Sequence, residues 1–435
     1  MSSHHHHHHP AGDATGCQEY KELSRRDFIA RSPATAVALS VPAWLPRVTY
    51  AQSASDRDVL VSIFLRGGAD GLTLVPPFGE NAYYTLRPTI AIPRPDSGSP
   101  TPAINLDGFF GLPTAMSALM PAYQSGQLLI VHATGSTDPS RSHFDAQFYM
   151  EIGKPGDKNV VTGWLGRHLA TKPPARPDAA LRAIGYSFGL QQTLVGAPDT
   201  LPIPNPANFG LAGTSSTRNQ RLAFLGNAYQ TERDPLRTAA LNTQRTINTL
   251  AALNINGYVP AGGAVYPNNS FGSAMRSTAA LIRADIGIEA AQIDVGGWDT
   301  HSAQGPLTGG MANVMTQLAQ SLGAFHADMN ASNRMGQVTV VVMSEFGRVA
   351  RENGSQGTDH GHGNVMFVMG GGIRGGRVLT QWPGLAPGQL YQNQDLHVTI
   401  DYRDILAEIV QRRLVNSNLD LIFPGYTPTM RGVCA

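Results

Sequence analysis

Apolar positions fall into short runs separated by glycine-rich polar turns. From Val59 to Leu65 the chain reads VLVSIFL, a nearly continuous apolar run rich in β-branched residues. It ends in Arg66-Gly67-Gly68-Ala69-Asp70-Gly71, which predicts a buried strand followed by a tight turn. A second run, Leu128 to Ala133, ends in a turn and leads to a helix-like stretch from about Ser142 to Glu151. A third closes on Ile293-Asp294-Val295, just ahead of Gly296-Gly297-Trp298-Asp299-Thr300-His301. Met311, Met315, Leu318, Leu322, Phe325 and Met329 then recur at helical spacing, which predicts an amphipathic helix. A fourth run, Val338 to Met343, enters Ser344-Glu345-Phe346-Gly347-Arg348. A fifth, Val365 to Met369, follows Thr358-Asp359-His360-Gly361-His362-Gly363, and Asp401 to Leu414 predicts a further amphipathic helix.

Mostly apolar strands alternating with helices predict an α/β fold, a mostly parallel sheet covered by helices on both faces. In such folds ligands bind beyond the carboxyl ends of the strands. The acids and histidines cluster at predicted strand ends, and that shared placement points to a site more than any single pair does. The stretch from about 170 to 269 differs: it opens on Lys172-Pro173-Pro174, continues through Leu201-Pro202-Ile203-Pro204 and regains helical pattern near Leu236 to Leu253. It reads as an insertion or cap within one domain spanning about 56–435.

Composition narrows the class. Apolar residues make up 42% and charged residues 14%, enough for a large core. A net charge of +1 gives no basic field, so nucleic acid is not an expected partner. His4 to His9 read as a tag, with a natural His-rich tract as the alternative. Ser24-Arg25-Arg26-Asp27-Phe28-Ile29, then a weak apolar stretch and Thr49-Tyr50-Ala51, resemble a twin-arginine export signal. That resemblance implies the twin-arginine translocase as a partner and a periplasmic or otherwise exported chain. The apolar stretch is too short to span a membrane stably. Cys17 would leave with the leader, so Cys434 has no partner for an internal disulfide.

Each candidate residue also has an ordinary structural reading. Asp70 suits a metal ligand or a turn Asp. Asp299 and His301 suit a metal, or a cap and a hydrogen-bonded loop histidine. Asp359, His360 and His362 put three potential ligands between glycines, or form a solvated loop. Glu345 stands just past a strand, with Arg348 close enough to pair with it. Ser140, Arg141, Ser142 and His143 lie at a predicted helix start, where unpaired N–H groups attract anions. There a hydroxyl beside a metal is a nucleophile, and a hydroxyl without one is an N-cap. Gly370-Gly371-Gly372-Ile373-Arg374-Gly375 fits G-x-G-x-x-G, but no helical pattern follows, which argues against a dinucleotide loop.

The order FLRGGADG, DPSRSHFDAQ, GGWDTH, VVVMSEFGR and TDHGHGNVMFVMGGG closely resembles an exported bacterial family, the domain-of-unknown-function family numbered fifteen-oh-one. More distantly it is similar to the alkaline phosphatase and sulfatase superfamily. The distant resemblance implies an alkaline-phosphatase-like sheet and a divalent ion: zinc, manganese or calcium. It places Asp70 at the first-strand aspartate, Ser140 or a neighbour at the nucleophile, Asp299 and His301 at the paired Asp and His, and His360 or His362 at the last histidine. Glu345-Phe346-Gly347 stands where those enzymes carry Asp-His-Gly, so one histidine ligand is missing and a one-metal site is easier to support. Thr137 stands at the modified position of sulfatases, which argues against formylglycine chemistry. The expectation is an exported metal-dependent hydrolase of a small anionic phosphate or sulfate ester. Asp299, His301 and His362 would hold the ion, Asp70 and Glu345 would complete the site, and Arg141 or Arg348 would bind the anion. The alternative is a non-catalytic exported binding or assembly protein.

Overall fold

The computed structural model describes residues 57–435; the tag, the leader and Cys17 lie outside the described residues. The main sheet contains β1 (Val59–Leu65), β4 (Leu128–Gly135), β5 (Ala183–Gly185), β6 (Thr200–Pro202), β7 (Ala290–Val295), β8 (Val338–Ser344), β9 (Asn364–Gly370), β10 (Arg377–Leu379) and β11 (Ile400–Asp401). Two short strands, β2 (Ala103–Asn105) and β3 (Gly111–Pro113), form a separate antiparallel pair. The order across the main sheet is β10-β4-β9-β8-β1-β7-β5-β6, with β11 also on β4. Every pairing is parallel except those of β9, which runs against both β4 and β8.

The direction of β9 follows from its connection. The link from Ser344 to Asn364 contains no helix, so the chain turns back beside β8 instead of crossing over. This places the loop before β9 at the edge where β1, β4, β7 and β8 end. Register sharpens the point, because Leu65 pairs with both Val295 and Ser344. The loops that follow β1, β7 and β8 therefore leave the sheet at one level.

The core has two faces, as the period of two requires. Val61, Ile63 and Leu65 face the helices Ser270–Arg283 and Gly310–Ala331. Leu60 and Phe64 face the helices Trp164–Thr171 and Tyr402–Arg412. Each such buried side chain contributes about 1.5–3 kcal/mol. The 170–269 stretch divides. Its strands β5 and β6 extend the main sheet beside β7, while the helices Arg218–Gln230 and Leu236–Leu253 pack against each other and bury Leu250 in the core.

Two core histidines set an acid limit on stability. Burial holds His132 down to about 4, and burial together with Arg57, Arg182 and Lys172 holds His168 down to about 3. In the unfolded chain each titrates near 6.5. The unfolded state thus binds more protons below about 6.5, so stability falls as pH falls through that window. Each histidine contributes roughly 1.4 kcal/mol per pH unit there. Urea unfolding of His168→Gln should show a shallower loss between about pH 6 and pH 4. An unchanged slope would contradict the assignment.

Candidate metal centre

The loops after β1, β7 and β8, the loop before β9 and the helix His143–Ile152 meet at this edge. They bring three imidazoles to one carboxylate oxygen. Asp299 Oδ1 lies 3.0 Å from His301 Nε2, 3.3 Å from His360 Nε2 and 3.7 Å from His143 Nε2. The ligand atoms of His143, Asp299 and His360 all lie within 4.8 Å of one another. Donors bound to zinc at about 2.0–2.2 Å sit roughly 3.3–3.5 Å apart, so His143, Asp299 and His360 are spaced as three donors of one ion, with His301 Nε2 beside Asp299 and His360.

Tautomers strengthen the match. His143 Nδ1 lies 2.8 Å from Glu345 Oε1, His301 Nδ1 lies 3.0 Å from Asp359 Oδ1, and His360 Nδ1 lies 2.8 Å from the Arg141 carbonyl. These partners only accept, so each Nδ1 carries a proton, and with an ion bound each ring would be neutral and turn an Nε2 lone pair inward. His301 Nε2 and His360 Nε2 are only 3.0 Å apart. Two lone pairs that close need a proton or a cation between them.

The charges respond as expected for such a cluster. Burial works against the Asp299 charge, but His143, His301, His360 and Arg348 outweigh it and hold its carboxyl far below the usual range. Burial likewise opposes ionisation of Glu345, yet His143 and Gln147 bring it down to about 2. Burial lowers His143, and the two carboxylates overcome this and raise it to about 9. The cluster therefore takes up protons where a cation would sit, and a bound ion would displace them.

The backbone holds this arrangement. Gly68 sits at φ +63°, and a Cβ there would lie 2.4 Å from the Phe346 ring. Gly361 lets the loop before β9 pass close to Arg348, where a Cβ would lie 2.3 Å from backbone. The Arg348–His360 bridge formed there holds the His360 backbone, and the Arg141 carbonyl holds its ring. Phe346 is buried against both His143 and His360, with ring centroids 5.0 and 4.8 Å away. It offers no donor, and this agrees with a one-ion site.

Several expected residues take other places. Asp70 is not in the cluster: it is fully buried in a two-point ion pair with Arg87 and also accepts from Thr73 and Gln304. With its oxygens so occupied it is a poor ligand. Glu345 acts behind His143, accepting also from the Gly67 N–H and from Gln147. Asp359 acts in the same way behind His301. His362 stacks on Tyr391 at 4.4 Å, and His360 takes the position expected for it. Arg348 is buried and donates to the carbonyls of Gly67, Gly68, Trp298 and Thr358 and to Asp299 at 2.7 Å, so no fork remains for an anion. Arg141 donates to Asp395 at 2.6 Å. The Ser140 hydroxyl accepts from the Ser142 N–H, and Ser142 is the N-cap residue of His143–Ile152. The loop 370–375 joins β9 to β10 with no helix after it, which removes the dinucleotide reading.

Sequence reasoning missed Gln147 and Glu151. They follow His143 at intervals of four, so all three share one helix face. Gln147 donates to Glu345, and Arg66 donates to both Gln147 and Glu151. The spacing His143, Gln147, Glu151 was the available signal: a polar stripe on a helix lying against strand ends.

Similar solved structures include a protein in the alkaline phosphatase superfamily from Vibrio parahaemolyticus, at 12% identity and a TM-score of 0.35, covering 84% of this chain and 71% of that one. Ps i-CgsB in complex with k-i-k-neocarrahexaose is similar at 10% identity and a TM-score of 0.40, covering 86% and 75%. Alkaline phosphatase from the Antarctic bacterium TAB5 is similar at 10% identity and a TM-score of 0.29, covering 83% and 99%. Among curated proteins none matches the chain. Residues 57–423 match the family described as Protein of unknown function (DUF1501), and the chain belongs to that family.

Proposed function

We propose that this chain is an exported metal-dependent hydrolase of a small phosphate or sulfate ester. The observation that carries the reading is the convergence of three inward-facing Nε2 atoms on Asp299 Oδ1, each ring held from behind by an acceptor. His143, His301, His360 and Asp299 would hold one divalent ion. Nitrogen-rich donors suit zinc best; manganese, which favours oxygen ligands, fits less well, and calcium, which takes oxygen ligands, drops out of the expected set. A bound ion there supplies Lewis-acid polarisation of the ester and a lowered pKa for water.

The remaining work falls to the chain itself. Glu345 and Asp359 hold the protons on their histidines, and Arg348 fixes Asp299. The first N–H groups of His143–Ile152 favour a nearby anion. Ser142 at that helix start is the candidate nucleophile, with water as the alternative. Export by the twin-arginine translocase belongs to the same proposal. Among the described residues no helix is long and apolar enough to cross a membrane.

The test is a panel of phosphate and sulfate monoesters, run on tag-free protein loaded with zinc or manganese. Turnover of at least one ester, abolished in His143→Ala, is expected. Ser142→Ala should lower kcat by at least about tenfold if the hydroxyl attacks, and by much less if water does. No turnover with any metal would sink the hydrolase reading. The engagement of both Arg141 and Arg348 would then favour the non-catalytic binding protein.

A further inference from the structure

A groove of about 520 Å³ lies beside the metal centre. Asp359 lines it, and the same carboxylate holds His301 Nδ1. The groove thus adjoins the ligand set through a single side chain. Its size falls within the range of small-molecule sites, roughly 300–1,000 Å³. Leu86 and Leu385 are buried beneath it, and Val349 and Leu390 are half-buried along it. These side chains give an apolar floor.

The charges around the rim are not equivalent. Both oxygens of Glu352 are engaged, by the N–H groups of Thr89 and Ile90 and by the Thr89 hydroxyl. Asp359 is engaged by His301 and Asn353 through Oδ1 alone, on the side of the groove toward His301. Arg351 is exposed and, among the described residues, makes no side-chain hydrogen bond or ion pair; it is the only cation lining the groove. The other arginines near the centre, Arg348 and Arg141, are held by Asp299 and Asp395. The groove therefore offers an apolar floor and one unused positive charge.

We propose that this groove is the subsite for the leaving group of the ester, and that the group is apolar, ring-sized and carries an anion that pairs with Arg351. The inference rests on the reading that the metal centre cleaves an ester. It gives the substrate two charges: one on the reacting group and one on the group in the groove.

The test uses 6-hydroxy-2-naphthoate and uncharged 2-naphthol as stand-ins for a released alcohol, titrated by fluorescence. The naphthoate should bind about three- to fivefold tighter, as expected for an exposed ion pair. That preference should vanish in Arg351→Ala and shrink at high salt. Arg351 is exposed and makes no side-chain hydrogen bond or ion pair among the described residues, so its removal should leave the fold intact. Equal affinities in the unaltered protein, or a preference that survives Arg351→Ala, would overturn the subsite. Asp299→Asn separates the two readings: it should lose the ion yet keep the naphthoate preference. Metal-loaded protein that cleaves esters but shows no preference would overturn the subsite alone.

Discussion

Asp299→Asn should reduce divalent-metal affinity by at least about 100-fold while leaving the protein folded. Asp299 Oδ1 is the atom on which the three imidazoles converge, and its charge is the only negative one among the proposed ligands. Asparagine keeps the volume and an oxygen acceptor for Arg348. That arginine also donates to the carbonyls of Gly67, Gly68, Trp298 and Thr358, so it is not left bare. Competition against a chelator measures the loss, and circular dichroism checks the fold. Unchanged affinity would show that the ion, if present, sits elsewhere.

The second large effect concerns Asp70, where sequence and structure part. Arg87→Ala should destabilise the fold by about 3–5 kcal/mol, because it strands a buried carboxylate. Both side chains are essentially fully buried, with Arg87 Nη1 2.6 Å and Nη2 2.9 Å from the two Asp70 oxygens. Burial opposes the charge on Asp70, but Arg87, Thr73 and Gln304 outweigh it and lower its pKa. The sign follows: the pair's contribution is present above the unfolded carboxyl value of about 3.9 and is lost as pH falls through the lower folded value. Replacing both residues should cost less than replacing one, since no lone charge remains. Urea unfolding measures each cost. Metal content per folded molecule should not change in Arg87→Ala, and a drop there would return Asp70 to the ligand set.

The contrast shows what a linear pattern can carry. Strands β1, β4, β7, β8 and β9 were visible as apolar runs, and the long helix Gly310–Ala331 as a period of 3.6. The short strands β5, β6, β10 and β11 have too few positions to show a period. The direction of β9 is not written in its composition, although its helix-free link to β8 implies it. Within the site, the loops were legible because acids and histidines followed strand ends. Which of them turn inward was not. His360 and His362 are two residues apart between glycines, and only contacts distant in sequence separate them: the Arg141 carbonyl on the His360 ring and Tyr391 stacked on His362. Asp70 looked like a ligand because its partner Arg87 lies on a separate loop that no local spacing reveals. His143 was expected at the reaction centre for its helix-start position, while its pairing with Glu345 depends on helix and strand meeting in three dimensions.

The most direct test is elemental analysis joined to X-ray absorption, on protein exported by its native route with His4 to His9 removed. One divalent ion per chain is expected, with nitrogen-rich coordination that loses an imidazole in His143→Ala and another in His360→Ala. No ion under any loading condition, or an ion whose coordination is the same in both variants, would contradict it.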